Sequence, residues 1–98
     1  MSYLVLVTFD LKDASWDDYK AVYEELENIG LLKRLISSEG KEVLLPTTTV
    51  AGEFEGDSSV DVRNNIMNKC KRIFKYLKLH GEIFVEVGDN WSWSYSEI

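Results

Sequence analysis

Hydrophobic and polar residues alternate or recur along the chain in patterns that predict four main strands and two helices. Residues 3–10 are rich in β-branched and aromatic side chains, which is typical of a strand. One face of this strand carries Leu4, Leu6 and Thr8, and the other carries Tyr3, Val5, Val7 and Phe9. A strand that is apolar on both faces belongs in the middle of a sheet, with cover on both sides.

The segment after the first strand predicts a helix. Ser15 and Asp18 stand three residues apart, which is the spacing of a capping box. The helix is expected to continue to about residue 29, because Gly30 fits the left-handed position that ends a helix. Its apolar stripe at helical spacing comprises Trp16, Tyr19, Val22, Tyr23, Leu26 and Ile29.

The middle of the chain predicts two further strands, at residues 31–36 and 47–54. A turn at residues 37–40 follows the first of them. Residues 41–46 are β-prone but end at Pro46, which cannot donate to a central ladder. They are therefore expected to form a loop or a short edge hairpin.

The last third of the chain predicts a second helix and a fourth strand. Ser58 and Asp61 repeat the capping pattern, and the helix is expected to reach about residue 77 and to end at His80-Gly81. Its apolar stripe comprises Val62, Ile66, Met67, Cys70, Ile73, Phe74 and Leu77. Residues 82–87 then alternate as a strand whose core side carries Ile83, Val85 and Val87.

These elements follow the order βαββαβ, which is typical of an α+β, ferredoxin-like two-layer sandwich. Aromatic residues alternate after the last strand and predict a short C-terminal fifth strand, which could fold back on its own sheet or extend onto the edge of a partner. Right-handed crossovers place both helices on the same face of the sheet, so the other apolar face lacks a cover. We therefore expect a homodimer with an interface formed by Leu4, Leu6, Thr8, Trp91, Trp93 and Tyr95.

Length and composition agree with one folded domain over residues 1–98. The chain is 45% hydrophobic and 29% charged, as in globular proteins. Its longest early apolar run, at residues 4–7, is too short to cross a bilayer, and no basic signal region precedes it. We expect a cytoplasmic protein that does not enter a membrane, and Cys70, as the single cysteine, is expected to be a buried thiol.

The charges are unevenly distributed along the chain. The net charge is −6, which argues against a surface that attracts nucleic acid everywhere. Residues 1–30 hold seven acidic residues and two lysines, whereas residues 61–80 hold six basic residues and one aspartate. The basic residues Lys71, Arg72, Lys75 and Lys78 lie on one flank of the second helix and are candidates for nucleic-acid binding. The alternative is that this flank is only the solvated side of an amphipathic helix.

Two segments resemble a known family. The first strand ends in Val7-Thr8-Phe9-Asp10-Leu11, and the last one leads into a Gly-Asp and tryptophan segment at residues 85–93. With the βαββαβ order, these segments resemble the Cas-two-like superfamily. That superfamily includes the small CRISPR-adaptation protein, the virulence-associated protein D ribonucleases, the SinR-like proteins of bacteria and the antitoxin ribonuclease GhoS.

The resemblance implies a function in bacterial defence or toxin–antitoxin systems, as a symmetric dimer. It implies that Asp10 binds Mg²⁺ and is catalytic in a weak metal-dependent endoribonuclease, with two copies of Asp10 facing each other across the dimer. The chain departs from many adaptation proteins because residues 11–14 lack an arginine-rich continuation.

Other functions are compatible with the same residues. Asp10 could simply end a strand before a turn. The chain would then be a non-catalytic dimeric module that binds another protein through its acidic first helix, or a small-ligand regulator on a ferredoxin-like sheet.

Overall fold

A computed structural model describes residues 1–98 and has an α+β fold, as the sequence predicts. The elements in chain order are β1 (Ser2–Leu11), α1 (Trp16–Asn28), β2 (Arg34–Ile36), β3 (Glu42–Leu44), β4 (Thr49–Glu55), α2 (Ser59–Leu77) and β5 (Gly81–Gly88). Three strands form an antiparallel sheet in the order β4-β1-β5, and β2 and β3 form a separate two-stranded hairpin.

The predicted central position of the first strand is confirmed. In the register of the sheet, Val7 of β1 lies between Val50 of β4 and Val85 of β5. The outer edge of β5 has no partner strand, whereas β4 makes one additional bridge through Ala51 to Leu32.

The core lies between one face of this sheet and the two helices. Buried side chains of β1 alternate with partly exposed ones, and those that pack toward the helices are Tyr3, Val5, Val7, Phe9 and Leu11. Val22 and Leu26 of α1, and Ile66, Cys70 and Phe74 of α2, complete this cluster. Burial of each Val or Leu contributes about 1.5–3 kcal/mol, so the pairing of strand alternation with helical stripes stabilises the fold. The other side of the sheet, called the helix-free face below, carries Leu4, Leu6, Thr8 and Asp10 on β1.

The predicted helix starts are confirmed, with one difference between them. Ser15 forms a full capping box, in which the Asp18 amide donates to Ser15 Oγ at 3.2 Å and the Ser15 amide donates to Asp18 Oδ2 at 3.0 Å. Ser58 accepts from the Asp61 amide at 3.1 Å and forms a simple N-cap.

Two details of the predicted helices are wrong. Trp16 is 77% exposed and does not join the apolar stripe of α1, because it occupies the first helical position, beyond the edge of the core. The end of α2 is formed by Lys78, which adopts a left-handed conformation with φ 58°, rather than by His80-Gly81.

The predicted second strand is shorter than expected and leaves the main sheet. Leu31 is fully buried, Leu32 exchanges two backbone hydrogen bonds with Ala51, and the chain then bends at Lys33. Of the two alternatives for residues 41–46, the structure has the short hairpin, since β3 pairs with β2 around a turn that includes Gly40 with φ 80°.

The predicted fifth strand is wrong for this chain. Residues 91–98 have no regular secondary structure and pair with no strand. Period-two alternation shows which side chains could share a face, but a strand must also pair with a neighbour, and this segment does not pair with the free outer edge of β5. Instead, the segment that contains Trp91, Trp93 and Tyr95 borders the helix-free face and the β2–β3 hairpin.

Neither helix combines the length and the apolar character needed to span a lipid bilayer.

Candidate functional site

The helix-free face places Asp10 at one end of a row of β1 side chains. Asp10 is exposed and follows Thr8 on that face. The β5 register places Phe84 opposite Thr8 and Glu82 opposite Asp10. The end of the face near Asp10 therefore combines an exposed aromatic ring with two carboxylates.

The backbones of β1 and β5 approach closely next to these two residues, which lie opposite each other in the register. A side chain at residue 81 would collide with the carbonyl oxygen of Asp10, so glycine is required there. The Lys12 amide donates to the carbonyl oxygen of His80 at 2.8 Å and continues the contact beyond the strand pair. Like charges directly opposite on neighbouring strands repel each other, which favours the binding of a cation between them.

The end of β1 is also held from the helix side. The Tyr19 hydroxyl of α1 lies 3.4 Å from both the amide nitrogen and the carbonyl oxygen of Leu11. The ring of Phe9 packs edge-on against Tyr23 at 5.6 Å between centroids. These contacts fix the backbone on either side of Asp10, although its side chain is free in solvent.

Asp10 and Glu82 line an open groove of about 690 Å³, called the Asp10 groove. The remaining lining residues are Leu11, Lys12, Asp13, His80 and Gly81. Carboxylate oxygens are the ligands that Mg²⁺ prefers, and the ion often takes only one or two of them, with waters and substrate phosphates completing its shell. The chemistry of the Asp10 groove fits that ion, although one chain has no group of three or more side chains that could hold a metal.

The four predicted nucleic-acid-binding residues are all exposed on or just after α2. They are Lys71, Arg72, Lys75 and Lys78, and neither of the two ion pairs in the structure involves them. Tyr76, next to Lys75, is 75% exposed. Their charges are therefore available to a ligand.

Lys71 and Lys75 line a second groove of about 470 Å³ between α2 and β5, called the lysine groove. His80 and Gly81 line both this groove and the Asp10 groove. The structure thus connects two of the predicted phosphate-binding residues to the predicted catalytic carboxylate through a shared border. Arg72 and Lys78 line neither groove.

Five of the six predicted dimer-interface residues surround a cavity within one chain. The cavity has a volume of about 580 Å³, and its lining includes Leu4, Leu6, Trp91, Trp93 and Tyr95. Thr8 does not contribute to it. This part of the helix-free face is therefore partly covered by the chain's own C-terminal segment, and the open part is the end with Thr8 and Asp10.

Four residues near the candidate sites are not indicated as site residues by the sequence pattern: Glu82 and Glu86 on the helix-free face, and Leu35 and Leu45 on or beside the hairpin. The two glutamates alternate with Ile83, Val85 and Val87, so the pattern already placed them away from the core. What the pattern lacks is the antiparallel register, which sets Glu82 opposite Asp10. Hairpin residues carry no comparable signal, because a short edge hairpin can fold over either side of a sheet.

The sequence itself supplies no assignment by similarity. No protein-family model matches it, and no curated protein matches it.

Proposed function

We propose that this chain is a ferredoxin-like, dimeric protein of the Cas-two-like superfamily that acts as a weak metal-dependent endoribonuclease in bacterial defence or a toxin–antitoxin system. The observation that carries the proposal is the shared border of the two grooves at His80 and Gly81. In this proposal, a nucleic-acid strand held by Lys71 and Lys75 would reach Asp10 along this border.

The topology supports a ferredoxin-like assignment. That fold is one antiparallel sheet of four strands, in which each split β-α-β unit leaves room for a strand of the other unit. The order β4-β1-β5 agrees with three of these strands, and the isolated bridge between Leu32 and Ala51 supports assigning the segment after α1 to the fourth position.

One observation supports a dimer through the open end of the helix-free face. Phe84, opposite Thr8, is 60% exposed on this face, so a second subunit would bury its ring. A twofold axis at this end would also bring two copies of Asp10 toward each other, each with its Glu82 neighbour.

The proposed chemistry follows from the charged residues that line the lysine groove and the Asp10 groove. Lys71 and Lys75 would hold phosphates of the substrate, and Asp10 with Glu82 would hold Mg²⁺. The bound ion would supply charge neutralisation at the scissile phosphate and a more acidic water. His80 lies between the two positions and could exchange a proton with the substrate or with water.

Cleavage of labelled single-stranded and duplex RNA tests the proposal. We expect cleavage with Mg²⁺ or Mn²⁺, none with a chelator, and loss of the metal-dependent activity in Asp10→Asn. Asp17→Asn is the matched control, because it removes one exposed carboxylate from α1, away from both grooves. Equal cleavage by the parent and Asp10→Asn, or by neither of them, would contradict the assignment.

A second candidate function is a non-catalytic dimeric module that binds another protein through α1. The specific observation in its favour is Trp16, which is 77% exposed at the start of a helix with five acidic residues and one lysine. Exposed tryptophans often anchor protein interfaces. A dimer that neither cleaves nor binds nucleic acid at low salt would favour this candidate over the nuclease.

A further inference from the structure

The cavity under the C-terminal segment is enclosed mainly by apolar side chains from three parts of the chain. Its sheet side is formed by Leu4 and Leu6, its hairpin side by Leu35 and Leu45, and its outer side by Trp91 and Trp93. Both tryptophans are half-buried, although they belong to no strand or helix. A volume of about 580 Å³ is in the range of small-molecule sites.

The charged groups around this cavity are all negative. Glu86 and Asp89 line it, and no lysine, arginine or histidine does so. The Oε1 atom of Glu86 lies 3.6 Å from where a β-carbon on Gly88 would stand, so the carboxylate leans along β5 toward the C-terminal segment. Neither carboxylate takes part in an ion pair.

We infer that the cavity binds a small organic cation with an apolar body. The aliphatic and indole groups would bury the body of such a ligand, and the indole faces attract a cation through their negative π surface. The negative carboxylates of Glu86 and Asp89 would also attract the cation directly. Nucleotides and other anions are disfavoured, because their phosphates would meet two unpaired carboxylates.

This site is separate from the proposed nuclease site. The cavity and the Asp10 groove share no lining residue, and four residue steps of extended β1 separate Leu6, which lines the cavity, from Asp10, a distance of about 13 Å. A failure of RNA cleavage would therefore not contradict the proposed cation site, and a failure of cation binding would not contradict the proposed nuclease site.

Titration of tryptophan fluorescence with phenyltrimethylammonium tests the inference. Trp16→Phe removes the exposed tryptophan of α1, so the signal in that background reports only Trp91 and Trp93. We expect saturable quenching, with phenyltrimethylammonium binding at least about fivefold tighter than tert-butylbenzene, its uncharged isostere. Phenylacetate is expected not to bind.

Variants in the same background locate the site. Glu86→Gln should weaken binding by a factor of about three to five, the effect of one partly exposed ion pair. Glu53→Gln is the matched control, since it lies opposite Leu4 on β4 but does not line the cavity, and should bind as the parent does. Calorimetry of Trp91→Ala/Trp93→Ala should show no binding, with circular dichroism confirming the fold.

The inference is overturned if tert-butylbenzene binds as tightly as phenyltrimethylammonium, or if the tryptophan double variant is folded and retains the affinity of the parent. Equal losses in Glu86→Gln and Glu53→Gln would also overturn it, because they would show a general effect of surface charge.

Discussion

Cys70 shows how burial in the helix layer controls the chemistry of a single side chain. Its thiol is 1% exposed within the core cluster, and this burial raises the pKa to about 11. A thiolate is the reactive form, so a neutral, covered thiol is a poor nucleophile. Cys70 therefore stabilises the core and has no role in either proposed site.

The pKa shift of Cys70 predicts both low reactivity and a pH effect. We expect the native protein to react with a disulfide reagent at pH 8 far more slowly than the urea-unfolded chain. The unfolded thiol ionises from about pH 9, whereas the folded thiol stays protonated until about pH 11. The contribution of the buried thiol to the free energy of unfolding is therefore complete below pH 9 and is lost between pH 9 and 11.

Measuring the free energy of unfolding across this range for the parent and for Cys70→Ala separates the effect from other titrations, because the variant lacks the thiol. A reaction rate in the native state equal to that in urea would show that Cys70 is accessible, contrary to the structure.

At the residue scale, the sequence predicts those features that depend on residues close together along the chain. The alternation of Leu4, Val5 and Leu6 between faces, and the Ser15–Asp18 box, both follow from local geometry and are confirmed. Trp16 has the right helical spacing, but spacing does not say where the core ends. The sequence also does not indicate that Lys78 adopts the left-handed conformation at the end of α2, since glycine is the usual residue at that position.

Among the elements, the pairing of β1 with β5 positions the candidate catalytic residue Asp10, and this pairing depends on Gly81. Gly81→Ala should reduce the free energy of unfolding by about 1–3 kcal/mol, because the new methyl group would collide with the backbone at Asp10. Chemical denaturation measures this change, and RNA cleavage should fall with it as Asp10 and Glu82 move apart.

Gly88→Ala is the matched control for this strand. A methyl group there would meet only the Glu86 carboxylate at 3.6 Å, an ordinary contact, so little change in stability is expected. Equal destabilisation by the two substitutions would refute a special requirement at Gly81.

The elements also show which parts of the fold a pattern can and cannot predict. Both helices and the three strands of the main sheet follow from periodicity and caps. The C-terminal aromatic segment has an equally clear period, yet forms no strand, because pairing depends on a partner edge that the segment itself does not encode. The candidate sites share this difficulty, since Asp10 meets Glu82 only through the strand register.

For the whole molecule, the open end of the helix-free face predicts self-association. Light scattering at micromolar concentration should give the mass of a dimer, and Phe84→Glu should give a monomer, because a carboxylate would replace the exposed ring at the interface. Tyr76→Glu is the control: it changes an aromatic side chain that is 75% exposed on α2. A monomeric parent, or a dimer that survives Phe84→Glu, would remove the proposed interface.

The opposite charges of the two packed helices give the molecule a polarity that its net charge of −6 conceals. Five acids and one lysine on α1 lie beside five basic residues and one aspartate on α2. In the electric field of a polyanion, this separation of charge would rotate the molecule until α2 faces the polyanion and α1 faces away from it, before any contact forms. Encounter would thus be oriented at long range and would slow steeply as added salt shortens the reach of that field.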